Sequence, residues 1–146
     1  MKTLLSIVIL VATFSSVAVS QDISEKEVPS LVLNALQSKY SSATKVDWEL
    51  EGDVYKAEFD VGSREHDLWI DKNGNITKHK EDFPKKELPQ AITQKLQSEF
   101  KDYKIDDADK IEEGGKILYE VDLDGSKDER KVLFTADGKV EQNIVD

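Results

Sequence analysis

The sequence contains no cysteine in 146 residues. That absence removes disulfides, thiolate nucleophiles, cysteine metal sites and a lipid anchor on cysteine together, so the fold has to stand on its hydrophobic core. Histidine is nearly as scarce, with only His66 and His79. A serine triad would have to recruit one of them, and neither lies in a nucleophile elbow or a glycine-rich context. An HExxH zinc motif is missing as well. His66 follows a polar turn and His79 sits in the basic stretch Lys78-His79-Lys80, so both are expected at the surface. Positive charge is in deficit, with 20 lysines and arginines against 30 acidic residues and a net charge of −10. Such a field repels nucleic acid and anionic membrane and favours cations or a basic protein surface, although acidic surplus is also an ordinary route to solubility.

Long apolar runs are lacking too. The longest, Leu4 to Val11, is too short and too rich in flanking serine and threonine to span a bilayer. With Lys2 before it and the small residues Ala18 and Ser20 ahead of Gln21, residues 1–20 read as a secretory signal cleaved near Ser20. The mature protein is then periplasmic or secreted, with no membrane attachment after cleavage. Residues 21–27 are polar and acidic and read as a linker.

What remains says nearly the same thing twice. Val28-Pro29 with Leu36-Gln37-Ser38-Lys39-Tyr40 returns as Leu88-Pro89 with Leu96-Gln97-Ser98-Glu99-Phe100. Glu51-Gly52 returns as Glu113-Gly114, and Glu58-Phe59-Asp60-Val61 aligns with Glu120-Val121-Asp122-Leu123. Leu68-Trp69-Ile70 with Asn73-Gly74 aligns with Val132-Leu133-Phe134 with Asp137-Gly138. The duplication divides the chain into a first repeat over 28–83 and a second over 84–146. A repeat of roughly 60 residues is marginal alone, so the two are expected to share one core or pack tightly.

Each repeat opens on an amphipathic helix. Val28, Val32, Leu36 and Tyr40 form one stripe and Leu88, Ile92, Leu96 and Phe100 another, with Pro29 and Pro89 at the first turn, where a missing amide proton costs nothing. The period then changes to two. Tyr55, Ala57, Phe59 and Val61 alternate with polar residues, as do Leu68 and Ile70, and Ile117 to Leu123 and Val132 to Phe134 repeat the pattern. Asn73-Gly74 and Asp137-Gly138 predict two-residue hairpin turns, with Ile76 and Val140 opening return strands. Val46-Trp48-Leu50 adds an earlier strand with Trp48 in the core, while its counterpart around Ala108 to Ile111 alternates poorly. The expected fold class is therefore α+β: two tandem repeats, each a helix followed by a three- to four-stranded antiparallel meander.

Leu118-Tyr119-Glu120-Val121-Asp122 with Lys131 to Val140, and Tyr55 to Val61 with Leu68 to Ile76, together resemble the PepSY domain. The tandem arrangement behind a signal resembles the PepSY-like periplasmic proteins described as similar to β-lactamase inhibitor proteins. That resemblance implies a noncatalytic extracytoplasmic module that binds or restrains another protein. No cofactor is implied.

Abundant carboxylates raise two further chemistries. Paired carboxylates hydrolyse glycosides, but any acidic domain supplies such pairs by chance, and a small repeated unit seldom builds the deep cleft required. The alternative function is a calcium or small-ligand sensing module at the acidic turn carrying Asp122, Asp124 and Asp128, where glycine falls at position 4 rather than 6 of an EF-hand frame. The strand parity points elsewhere. If Tyr55, Phe59, Leu68 and Ile70 face the helices, the opposite face carries Lys56, Glu58, Asp60, Trp69, Leu118, Glu120, Asp122 and Leu133. Apolar residues framed by charge have the anatomy of a recognition patch, with tryptophan favoured at hot spots, so these eight are the candidate partner-binding residues.

Overall fold

The computed structural model describes residues 19–145. Apart from Val19 and Ser20, the expected signal lies outside that range. Two short 3-10 turns, Glu25–Glu27 and Lys85–Glu87, lead into helices α1 (Ser30–Lys39) and α2 (Gln90–Glu99). Pro29 and Pro89 directly precede them and use their carbonyls as the first helical acceptors, Pro29 taking the amides of Val32 and Leu33 at 2.9 and 3.1 Å. The predicted stripes face inward, with Val28, Val32, Leu36, Leu88, Ile92, Leu96 and Phe100 all buried.

Nine strands follow the chain order: β1 (Ser20–Ile23), β2 (Thr44–Glu51), β3 (Val54–Val61), β4 (Arg64–Asp71), β5 (Ile76–Asp82), β6 (Tyr103–Glu113), β7 (Lys116–Gly125), β8 (Glu129–Thr135) and β9 (Val140–Val145). Every strand pairs antiparallel with the next, which makes one continuous nine-stranded sheet. This corrects the expected fold class, because the chain is not two helix-plus-meander units packed together. The overturning contact is the ladder between β5 and β6, from Lys78 opposite Glu113 to Asp82 opposite Asp109. Two separate meanders would each leave an interior edge of unpaired N–H and C=O groups, and joining them removes both edges. The supposed linker also joins the sheet, since Gln21, Asp22 and Ile23 pair with Leu50, Glu49 and Trp48.

Following the ladder across β5 and β6 places both helices on the same sheet face. One core lies under α1, with Val32, Trp48, Ala57, Phe59, Leu68 and Ile70, and a second under α2, with Ile92, Val121, Leu123, Val132 and Phe134. The sheet is shared and the cores are not. Between them on the same face runs a polar strip, where His66, His79, Glu81, Lys110 and Glu112 follow one another across β4, β5 and β6.

The ladder also corrects the internal alignment. Tyr55 opposes Ile70 while Tyr119 opposes Phe134, so Tyr119 is the counterpart of Tyr55, and Leu123 rather than Val121 is that of Phe59. The hairpin between β6 and β7 is longer than the one between β2 and β3, and this shifts the strands by two residues. Side-chain direction has a period of two, so the shift leaves every residue on its inferred face.

The glycine turns also differ from expectation. Asp71 N–H donates to the Asn75 carbonyl and Thr135 N–H to the Lys139 carbonyl, both at 2.9 Å, which encloses three residues rather than two. Gly74 and Gly138 occupy the left-handed position of each turn, both at φ +85°. Each turn tip docks under a helix start. A Cβ on Gly74 would lie 2.9 Å from the Leu31 carbonyl oxygen, and one on Gly138 2.7 Å from that of Ala91.

Candidate functional site

Neither helix covers the opposite face of the sheet, and all eight predicted residues, Lys56, Glu58, Asp60, Trp69, Leu118, Glu120, Asp122 and Leu133, lie on it. Glu49, Lys56, Trp69, Lys78 and Glu113 form one row across β2 to β6. The Trp69 indole is half-buried in that row. Its Nε1 donates to Glu51 Oε2 at 2.9 Å, and the Lys56 and Lys78 ammoniums stand 5.4 and 4.6 Å from its centroid. The ring is held by an acceptor and two cations, so its conformation is fixed before any partner arrives.

Leu133 holds the matching place on β8 with different neighbours, Glu120 on one side and Gln142 on the other. Leu118 is adjacent to a residue the sequence reading missed, Ile111, which lies on this same face at only 6 % exposure. The bulge between Ile105 and Asp107 breaks the alternation of β6 and hid the parity of Ile111.

Charge on this face is arranged around Lys80 at its centre. The Lys80 ammonium lies 3.0 Å from Asp109 Oδ2 and 2.9 Å from Glu120 Oε1, and Lys131 adds contacts of 3.6 Å to Glu120 and 3.8 Å to Asp122. A hollow of about 340 Å³ between Glu65, Asp67, Asp82, Asp107, Asp109 and Asp122 has Lys80 as the one lysine or arginine in its lining. The two carboxyls that share Lys80 respond in opposite directions. Burial pushes Asp109 up against the pull of Lys80. Burial opposes the charge of Glu120 too, but Lys80 and Lys131 together outweigh it and hold that carboxyl below its usual range. Burial likewise raises Asp67 and Asp122, each of which has one buried carboxylate oxygen without a hydrogen-bond partner among the described residues. Lys56 pairs with Glu58 and, at 3.6 Å, with Asp67, while Asp60 pairs with Lys45 at 2.6 Å.

At the acidic turn that carries Asp124 and Asp128 the carboxylates have protein neighbours. Asp128 accepts from the Tyr103 hydroxyl at 2.6 Å and pairs with the Arg130 guanidinium at 2.9 Å, while Asp124 is exposed and lies opposite Glu129. Among the described residues the one cluster of three or more close metal-ligating groups lies on the helix side of the sheet: His66, His79 and Glu81. This corrects the surface placement of both histidines, which are buried at 6 % and 5 % exposure. His66 shares parity with Leu68 and Ile70, so its direction was readable, whereas a bulge between Trp69 and Ile70 obscures that of His79.

The family described as "Putative beta-lactamase-inhibitor-like, PepSY-like" matches the chain over residues 17–78 and 53–142. The chain belongs to that family. Three solved structures similar to this PepSY-like fold come from Bacteroides species. A DUF2874 family protein from Bacteroides uniformis aligns with TM-score 0.74 and 19 % identity, over 80 % of this chain and 88 % of its own. A "putative periplasmic" protein from Bacteroides eggerthii aligns with TM-score 0.74 and 20 % identity, over 81 % and 88 %. A BLIP-like protein from Bacteroides fragilis aligns with TM-score 0.69 and 23 % identity, over 80 % and 86 %. At these identities the likeness concerns the PepSY-like fold alone. No curated protein matches the sequence. Among the described residues no helix is long and apolar enough to cross a membrane.

Proposed function

We propose that the chain is an exported, noncatalytic module that binds another extracytoplasmic protein through the helix-free sheet face and inhibits or regulates it. The observation carrying this reading is the Trp69 row: a fixed indole at the middle of an open sheet, with Leu118, Leu133 and Ile111 on the same face and carboxylates around them. The partner this surface fits has an apolar contact framed by lysine and arginine, because the rim is acidic and the whole chain carries −10. The inhibitor-like family description supports the noncatalytic role, and the "putative periplasmic" relative together with the Met1–Ser20 leader supports export. Nucleic acid is disfavoured as a partner by the same charge.

Face-specific photocrosslinking in the native envelope tests the reading. A photoreactive residue at Glu58, on the open face, is expected to give a discrete adduct that weakens as salt rises, and one at the exposed Gln94 of α2 is not. Equal adducts from both positions, or adducts from Gln94 alone, would remove the open face as the docking surface.

A further inference from the structure

The polar strip between the two cores contains a group that neither the fold nor the open-face reading requires. His66 Nδ1 lies 3.0 Å from His79 Nε2 and 3.8 Å from Glu81 Oε2, and one ligand atom from each of the three residues falls within 4.8 Å of the others. Zinc bonds of about 2.0–2.1 Å at tetrahedral angles put ligand atoms about 3.3 Å apart, so the observed separations bracket what one small cation demands.

The surroundings fix each group. The Phe59 and His66 rings lie near-parallel, 10° apart at a centroid distance of 5.3 Å, while His66 and His79, 2° apart, meet edge to edge through the 3.0 Å nitrogen contact, an N–H···N hydrogen bond whose proton a bound cation would replace. The other Glu81 oxygen, Oε1, faces the Lys110 ammonium at 3.8 Å, which orients Oε2 toward His66. The Tyr40 hydroxyl, at the end of α1, stands 3.4 Å from His79 Nδ1 and 3.1 Å from Nε2, where it is a hydrogen-bond partner that a cation would displace. The Lys110 contact to Glu81 is the kind of outer partner that aims a metal ligand. Beside His79 an open groove of about 360 Å³, with Lys39 and Glu112 in its walls, provides entry from solvent.

The second half of the sheet supplies a built-in comparison. In the β8–β9 ladder the positions of His66, His79 and Glu81 are taken by Arg130, Asn143 and Val145, as the pairs Arg130–Val145 and Val132–Asn143 match His66–Glu81 and Leu68–His79. The same hairpin therefore forms with no imidazole in it. Removing two histidine rings from water is a cost the hairpin does not need to bear, and burial with a carboxylate at ligand spacing is the arrangement a metal would recover.

We propose that His66 Nδ1, His79 Nε2 and Glu81 Oε2 form a site for a zinc-class divalent cation. Two imidazoles and one carboxylate suit zinc and the neighbouring late transition metals, whereas calcium and magnesium require more oxygen ligands than the strip offers. Three protein ligands leave a fourth position available to water or to a donor from a partner.

Tag-free protein titrated with zinc chloride by calorimetry, and with cobalt(II) by visible absorption, tests the site. The expected result is one equivalent bound, a melting temperature that rises with zinc but not with calcium or magnesium, and the intense visible bands of tetrahedral cobalt. Since the chain has two histidines and no cysteine, imidazole ligation has no other source. Glu81→Gln is expected to weaken zinc binding at least about tenfold, no less than loss of an outer-shell partner costs, and His66→Gln with His79→Gln to abolish it. Absence of heat and of cobalt bands in the unaltered protein overturns the proposal, as does undiminished binding in Glu81→Gln. Should the double histidine variant not fold, the unaltered protein and Glu81→Gln still decide the matter.

Discussion

Three glycines with the same backbone requirement but different surroundings allow the docking of the turns beneath the helices to be measured. Gly52, Gly74 and Gly138 sit at φ +66°, +85° and +85°. A methyl group at Gly52 meets nothing within 4 Å, so Gly52→Ala incurs only the left-handed penalty of about 1–2 kcal/mol. At Gly74 the new carbon lies 2.9 Å from the Leu31 oxygen, and at Gly138 it lies 2.7 Å from the Ala91 oxygen and 3.0 Å from the Ala91 carbon. These are helix backbone atoms that cannot swing aside, and they lie well inside the about 3.5 Å at which nonbonded contacts begin to attract. Forcing the first helical turn off the sheet adds an overpacking cost of about 1–3 kcal/mol. Gly138→Ala should therefore lose about 2–5 kcal/mol, Gly74→Ala somewhat less, and Gly52→Ala least. Urea unfolding followed by circular dichroism reads the order directly, with unchanged m-values confirming that native stability moved. Equal losses at all three positions, or the largest at Gly52, would refute the argument that the tips are pinned beneath α1 and α2.

Other outcomes follow from the two tryptophans and from Lys80. In a Trp48→Phe background acrylamide should quench Trp69 readily, while in Trp69→Phe the remaining Trp48, 4 % exposed, should resist; similar quenching in both variants contradicts the assigned faces. Trp69→Ala should lose about 1–2 kcal/mol, for one hydrogen bond and partial burial, against about 3–5 kcal/mol for Trp48→Ala, while abolishing the Glu58 crosslink. Lys80→Met strands Asp109 beside Glu120 and should lose about 1–3 kcal/mol at pH 7, below the fully buried figure because the lysine is 27 % exposed; Lys80→Arg should recover most of it. That deficit should shrink toward pH 4. Lys80 pulls both the Asp109 and the Glu120 carboxyls down, so its removal raises both in the folded state; the variant then holds more protons when folded than the unaltered protein and gains stability relative to it as pH falls. A Lys80→Met deficit that grows on acidification runs against this sign.

Family membership and strand parity were both legible in the residues, and for the same reason. Apolar spacing of about four in Val28 to Tyr40 and of two in Tyr55 to Val61 records which side of each element meets the core, and that side is a local property. Parity alone put Trp69, Leu133 and their charged neighbours on the helix-free face. It also indicated an inward His66, a signal that the basic stretch around His79 masked.

The sequence by itself determined the two helices, the faces of the repeated strands and the places of the glycine turns, though not β1, which reads as a linker. Only the tertiary structure decided that β5 pairs with β6, that Tyr119 answers Tyr55, and that His66, His79 and Glu81 converge. Ladder pairing is made by main-chain groups that every residue carries, so no side chain marks where one strand will find its neighbour. A shift of two residues preserves alternation and therefore leaves no trace in it. The seam between the two cores is a place that neither half of the chain contains alone, and its polar cluster is surrounded only when the halves join along one sheet.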